Sequence, residues 1–392
     1  MPWIDLLLAL CAYWGHFALC MFAFNRVHAT SWPRPVIKLS ALALFLFGLI
    51  TAIYFAWQAF SRGAFFLGVS DTTAFPAWQR YYIFVSLAAA VAIIPVWLLP
   101  WFLRKPPPGC QMTSSRVHDI ERAISSKPVH GREGQWACRI PLNQIFELEV
   151  NEKTLRSPSL PSALHGISIA HLSDLHFAGE LTCPFYEQVV EQANKLAADI
   201  VVISGDIVEH LPSLDWFAEV LGQLRAPLGR WSILGNHDLR LENPTDIRRR
   251  LRDVGFLDVG QSAHLVELRG LPVLLCGNES PWFPRVPDRV VLETIARRQP
   301  KYRILISHTP DQIGWARRHR FDLMLSGHVH GGQAKLPWLG PIFCPSLHGR
   351  TFSEGAFYRE PTLLHVSRGV AGKDLLRWNC RPEITKLTLL SK

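Results

Sequence analysis

The sequence predicts an α/β domain preceded by an N-terminal bundle of about three transmembrane helices. Two observations predict it. Apolar residues concentrate before Arg104, in three stretches that each approach the roughly 20 residues needed to cross a bilayer core. Beyond Gln135, short apolar strands alternate with amphipathic helices, and strand after strand ends in Asp, Asn or His.

The chain has 392 residues, enough for more than one domain, with 48% hydrophobic and 19% charged residues. Its formal net charge of +9 fits either nucleic acid or an anionic membrane surface. No basic run is interleaved with aromatics, so the membrane surface is the better partner and no nucleic acid is expected. The eight cysteines are scattered without a Cys-x-x-Cys pair. They imply no disulfide framework and suit a reducing compartment.

The expected spans are Ile4–Phe24, Leu39–Phe60 and Tyr82–Phe102, with Trp3, Trp57, Trp97 and Trp101 near their ends as interfacial anchors. The first lacks a basic n-region and two more follow it, so it reads as an anchor rather than a cleaved signal. Arg26, Arg34 and Lys38 lie in the first loop; Arg62, Arg80 and Asp71 lie in the second. Arg104, Lys105, Arg116 and Arg122 follow the third span. Positive-inside counting over these multi-pass spans puts the N-terminus outside and the large C-terminal part in the cytoplasm. Asp5 can reach the interface, and His16 suits an interhelical hydrogen bond.

Residues 1–103 thus form the transmembrane region, 104–134 a linker and 135–392 the globular domain. Pro106-Pro107-Pro108-Gly109 ends the third span. A short surface helix is expected at Val117–Ser126. Strands are expected at Ile145–Val150, Ile167–Leu172, Ile200–Ser204, Trp231–Leu234, Val273–Cys276, Arg303–Ser307 and Leu323–Ser326. Helices are expected at Phe185–Ala198, Leu214–Leu224 and Pro244–Val254.

Five strand ends carry ligand-type residues. They are Asp174 with His176, Asp206, Asn236-His237-Asp238, His308, and His328 with His330. Asp and His bind borderline divalent metals, and Asn adds a carbonyl oxygen. The C-terminal edge of an α/β sheet is where such sites assemble. In an extended segment, residues two apart face the same way, so Asp174 and His176 would clasp one ion together. Any one cluster alone reads equally well as a helix cap or a structural histidine. Five together do not, because burying so many polar groups without partners would cost several kcal/mol.

The ordered set Asp-x-His, Gly-Asp, Gly-Asn-His-Asp, His and Gly-His-x-His, over about Ile167 to Gln333, resembles the calcineurin-like metallophosphoesterase superfamily. The resemblance implies a four-layer αββα sandwich and two divalent ions. Manganese suits them best, with iron or zinc also fitting. It implies that Asp174, His176 and His330 hold one ion, that Asn236, His308 and His328 hold the other, and that Asp206 bridges both. A bridging hydroxide would attack phosphorus in line. His237 resembles the family's acid-type histidine, and Asp238 is a candidate to orient its imidazole.

Protein Ser/Thr phosphatases of this superfamily carry Gly-Asp-x-x-Asp-Arg-Gly and Gly-Asn-His-Glu. Here Glu209-His210 and Asp238 depart from that pattern. The Ser-Asp-Leu-His and Gly-His-Val-His-Gly-Gly-Gln segments, behind membrane spans, are similar to the bacterial membrane-associated phosphodiesterase branch. That branch includes UDP-2,3-diacylglucosamine pyrophosphohydrolases of lipid A synthesis. It implies a phosphodiester or pyrophosphate in a lipid-linked or UDP-sugar-lipid substrate. Arg240 and Trp282 are candidate substrate contacts; Arg350 is a further candidate for phosphate, although a solvated surface position is the better reading for it. The competing readings are a cyclic-nucleotide or general phosphodiesterase and, outside enzymes, a membrane sensor or scaffold with a retained metal site.

Overall fold

The structure, a computed structural model, describes residues 2–61, 76–103, 106–178, 180–241, 243–372 and 374–391. Arg62, Asp71, Arg104 and Lys105, used above to orient the spans, lie outside the described residues. The chain divides into two compact units: Met1–Lys105 with Pro337–Thr351, and Pro106–Leu336 with Phe352–Lys392.

In the first unit the apolar stretches form helices α1 (Pro2–His28), α2 (Arg34–Ser61) and α3 (Ala77–Leu103). Each is long and apolar enough to cross a membrane. Gly15 brings α1 close to α3, since a Cβ there would lie 1.8 Å from the Ser86 carbonyl oxygen. His16 ties all three helices together, contacting the Tyr82 hydroxyl through Nδ1 and the Gly48 carbonyl at 2.8 Å through Nε2. The segment Pro337–Thr351 packs with them. The buried Asn25 side chain donates to the Ile342 carbonyl (3.1 Å) and accepts from the Cys344 amide (2.8 Å). Phe343 stacks edge-on against Phe24 and His28.

The second unit contains two mixed sheets. The first is built from β1 (Cys110–Asp119), β2 (Glu147–Arg156), β3 (Ser168–Leu172), β4 (Ile200–Ser204), β5 (Arg230–Ile233), β6 (Leu257–Asp258) and the C-terminal β13 (Glu383–Leu390). Its order is β1-β2-β13-β3-β4-β5-β6. The second contains β7 (Ala263–Leu268), β8 (Leu271–Asn278), β9 (Tyr302–Ser307), β10 (Leu323–Ser326), β11 (Gly355–Arg359) and β12 (Thr362–Val366), ordered β11-β12-β10-β9-β8-β7. β3, β4 and β5 run parallel, as do β8, β9, β10 and β12.

Three apolar cores match four layers. Ile169, Val202 and Ile233 of one sheet interlock with Leu275, Ile304 and Leu325 of the other. The outer face of the first sheet is covered by α4 (Cys183–Lys195) and α5 (Pro244–Asp253), through Phe185, Val189, Ile247 and Leu251. The outer face of the second is covered by α6 (Asp288–Arg298) and α7 (Ile313–Arg318), through Val291, Ile313 and Trp315. Strands buried on both faces are continuously apolar, which is why Ile200–Ser204 and Leu323–Ser326 are found at the positions the sequence predicts.

Three expectations need correction. The 104–134 stretch is not a plain linker: Cys110–Asp119 is a ten-residue edge strand paired antiparallel to β2. It is mostly exposed and polar, so it has no buried face to produce an apolar alternation. The surface helix expected at Val117–Ser126 shrinks to Ile120–Ile124, because β1 runs through Asp119. The helix expected at Leu214–Leu224 breaks into 3-10 turns around a four-residue α-helix, Trp216–Glu219. Its buried Leu214, Phe217, Leu221 and Leu224 keep helical spacing, so the apolar pattern alone does not reveal the break.

Candidate metal centre

The parallel strands deliver their C-terminal ends to one place. The loop after β3 brings Asp174 and His176, that after β4 brings Asp206, and that after β5 brings Asn236 and His237. The second sheet contributes His308 after β9, and His328 and His330 after β10. Backbone pairing continues past the strands, with the Asp174 amide donating to Gly205 O and that of His176 to Asp206 O, both at 3.0 Å.

Asp174, His176 and Asp206 are not in extended backbone. They have φ of 53°, 46° and 53°, and His328 and His330 have 70° and 50°. The two-apart argument made for Asp174 and His176 therefore does not hold in its stated form. Left-handed turns, not a continued strand, aim both side chains inward. Each such residue costs on the order of 1 kcal/mol or more and persists where surroundings over-determine it. Gly235 is required nearby, because a Cβ there would lie 2.3 Å from Asp206 Oδ1.

Donor atoms of Asp174, His176, Asp206 and His330 lie within 4.8 Å of one another, as do those of Asp206, His308 and His328. Asp206 belongs to both groups. His308 Nε2 is 3.2 Å from Asn236 Oδ1, which adds the Asn to the second group. Asp206 Oδ2 is buried without a hydrogen bond. Around it stand three imidazole nitrogens, from His308 at 3.2 Å, His176 at 3.6 Å and His237 at 3.9 Å. A buried carboxylate oxygen left so is costly unless a cation meets it. Burial opposes protonation of His308, yet the Asp206 charge outweighs it and pushes His308 up to about 9. The pocket draws in positive charge, and its Asp, His and Asn donors suit borderline divalent ions. These residues could hold two of them.

Outer contacts set the ring tautomers. His308 Nδ1 donates to the Ser204 carbonyl at 2.8 Å, so Nε2 is the nitrogen that a metal ion would take in place of its proton. His176 Nδ1 donates to Glu209 Oε1 at 2.5 Å, with the same result. Glu209 also lies 2.5 Å from His237 Nδ1 and 3.5 Å from Arg240 Nη1. Arg240 Nη1 approaches the same His237 nitrogen at 2.5 Å, but one nitrogen cannot both donate to Glu209 and accept from Arg240. The carboxylate contact is the stronger and makes Nδ1 the protonated atom. Burial pulls His237 down to about 4 despite the nearby Asp206 charge.

Asp238 does not orient His237. Its Oδ1 accepts from the Ile207 and Val208 amides (both 2.9 Å), and its Oδ2 from Gly235 (2.8 Å). Asp238 therefore clamps the β4 and β5 loops together, and the imidazole-facing carboxylate is Glu209. Sequence reasoning meets Glu209 only as a mismatch to the phosphatase motif, although its place three residues after Asp206 was the available signal. Arg377 was also missed. It is fully buried and donates to the carbonyls of His330 (3.1 Å), Arg368 (2.7 Å) and Ala371. No sequence pattern marks an arginine that serves backbone. Trp282 stands over the second group, its ring 4.7 Å from His328 and 5.5 Å from His308. His171 and His365 lie apart, paired at 2.9 Å in the interior.

The profile of the calcineurin-like phosphoesterase family matches residues 167–332. The uncharacterized metallophosphoesterase YkuE of Bacillus subtilis (strain 168) is 30% identical over 259 residues, covering 62% of this chain and 86% of the relative. With the fold and the cluster described, the chain belongs to the calcineurin-like phosphoesterases, a family of metal-dependent hydrolases. UDP-2,3-diacylglucosamine pyrophosphatase LpxG of Chlamydia trachomatis serovar D is 29% identical over 309 residues, 65% of this chain and 92% of LpxG. Phosphodiesterase YaeI of Escherichia coli (strain K12) is 27% identical over 226 residues, 57% of this chain and 82% of YaeI.

Proposed function

We propose that this protein is a membrane-anchored, two-metal phosphoesterase that hydrolyses a phosphodiester or pyrophosphate in a lipid-linked substrate of the UDP-diacylglucosamine type. The observation that carries the reading is Asp206, a buried carboxylate shared by two donor groups. Asp174, His176 and His330 would hold one ion, Asn236, His308 and His328 the other, and Asp206 both, with manganese the first candidate. Such ions supply Lewis acidity and bring the pKa of water down toward neutrality. Glu209 holds the His237 ring in place. The anionic phosphoryl group would add to Glu209 in favouring the imidazolium, which then hydrogen-bonds a phosphoryl or leaving oxygen. Arg240 and Trp282 border the space where the substrate would lie.

The substrate class is supported by the three membrane-length helices on the same chain and by the name of the LpxG relative. In this reading residues 1–103 anchor the protein in the inner membrane and the hydrolase part faces the cytoplasm. The test uses the purified full chain, chelated and then reloaded with Mn²⁺. It should cleave bis-p-nitrophenyl phosphate and, with much higher kcat/KM, UDP-2,3-diacylglucosamine. Faster turnover of cyclic nucleotides would replace the lipid-linked reading with a general phosphodiesterase. A protein that binds two ions but cleaves none of these would be a sensor or scaffold.

A further inference from the structure

The first unit contains an apolar groove of about 380 Å³, lined by one face of α1, by Ile94, Trp97 and Leu98 of α3, and by Leu339, Ile342 and Arg350. On α1 the lining runs from Leu7 to Ala18, a length of about 16 Å at 1.5 Å per residue. That is close to half of the roughly 30 Å hydrocarbon core, the depth of one leaflet. Leu10 and Trp14 are about half exposed, so the groove opens sideways. Among its lining residues Arg350 alone carries a charge. Arg350 is not the solvated surface residue expected from the sequence: it is 8% exposed and donates to the Leu339 carbonyl.

We propose that this groove binds one acyl chain of an anionic phospholipid, with the lipid phosphate on Arg350. An apolar cavity of this size on membrane-length helices has lipid as its natural filling, since an empty one forfeits dispersion contacts. The shape selects a single chain, and the guanidinium selects the headgroup by charge. None of its lining residues is a proposed metal ligand, and the proposal does not rest on the hydrolase reading.

The test is native mass spectrometry of the full chain, released from nanodiscs of equal phosphatidylglycerol and phosphatidylcholine. The wild type should retain one phosphatidylglycerol, preferred roughly fivefold, the scale of one basic residue at a membrane surface. Arg350→Gln should abolish the preference and Arg350→Lys should keep it. Leu10→Trp, at a half-exposed position that tolerates bulk, should reduce retention of both lipids. Equal retention of the two lipids by the wild type overturns the proposal. So does a preference that survives both Arg350→Gln and Leu10→Trp in monodisperse protein.

Discussion

The two units invert each other. The helical unit turns its large apolar side chains outward, with Leu39, Phe45, Ile50 and Val91 all more than half exposed. Its interior holds small and polar groups such as Ala18, Ser86, His16 and Asn25. The α/β unit buries its aliphatics between layers and, at the strand ends, also buries charge: Asp174, Asp206 and Glu383 are at most 2% exposed. One solvent explains one arrangement and the other solvent the other. Lipid makes outward leucine cheap and inward packing a matter of close approach. Water makes buried carboxylates costly, so they persist only where imidazole, guanidinium or a metal answers them.

That contrast can be broken most sharply at Asp206. Asp206→Asn keeps the shape and removes the shared charge. It should cut turnover of bis-p-nitrophenyl phosphate by on the order of 10³-fold and lower bound metal measured by mass spectrometry. Unchanged metal content with full activity would sink the two-ion reading. Glu209→Gln should be milder. It loosens both His176 and His237 without touching phosphate, so a loss of about 10–100-fold is expected, with weaker metal retention. A loss confined to KM would show that Glu209 acts on substrate instead.

Acid sharpens the comparison further. Burial raises the Glu383 pKa, but Arg368 and Lys153 outweigh it and hold Glu383 well below the usual carboxylate range. Its contribution is therefore fully present above the ordinary value of 4.5 and is lost progressively as pH falls from there toward the depressed folded pKa. The first unit has Asp5 and Asp71 as its only acidic residues. Titration from pH 6 to 3 should destabilise the α/β unit while the helical circular dichroism of α1–α3 persists, and Glu383→Gln should flatten the acid transition. Loss of both signals together would refute the separation. The smallest effect is expected at His16. His16→Ala removes contacts to two neighbouring helices and should cost about 1 kcal/mol, read as a lower Tm in detergent.

What was legible in the sequence follows the same division. Helices with lipid outside are apolar all round, so α1, α2 and α3 stand out, each only a few residues longer than expected. Strands buried on both faces, such as Ile200–Ser204, stand out equally. β1 did not, because an exposed edge strand reading Cys-Gln-Met-Thr-Ser-Ser carries no alternation. β13 was passed over although Ile384, Leu387 and Leu389 are buried, since Lys386 and Thr388 between them give the run a mixed look. At the site, ligand-type residues announce themselves by chemistry. Glu209 and Arg377 do not, because their work is to hold other groups, and a carboxylate or guanidinium in a loop is ordinarily a surface residue. The left-handed backbone at Asp174, His176, Asp206, His328 and His330 was invisible for the opposite reason: propensity argues against it.

The bonds from Asn25 to Ile342 and Cys344 join residues more than 300 positions apart. A ribosome adding about 5–20 residues per second needs about 15–60 s to cover that distance. By then α1, α2 and α3 have left the tunnel, and the strands bearing every proposed metal ligand have been synthesised. The contacts of Asn25 thus form only after the loops bearing every proposed metal ligand have been made.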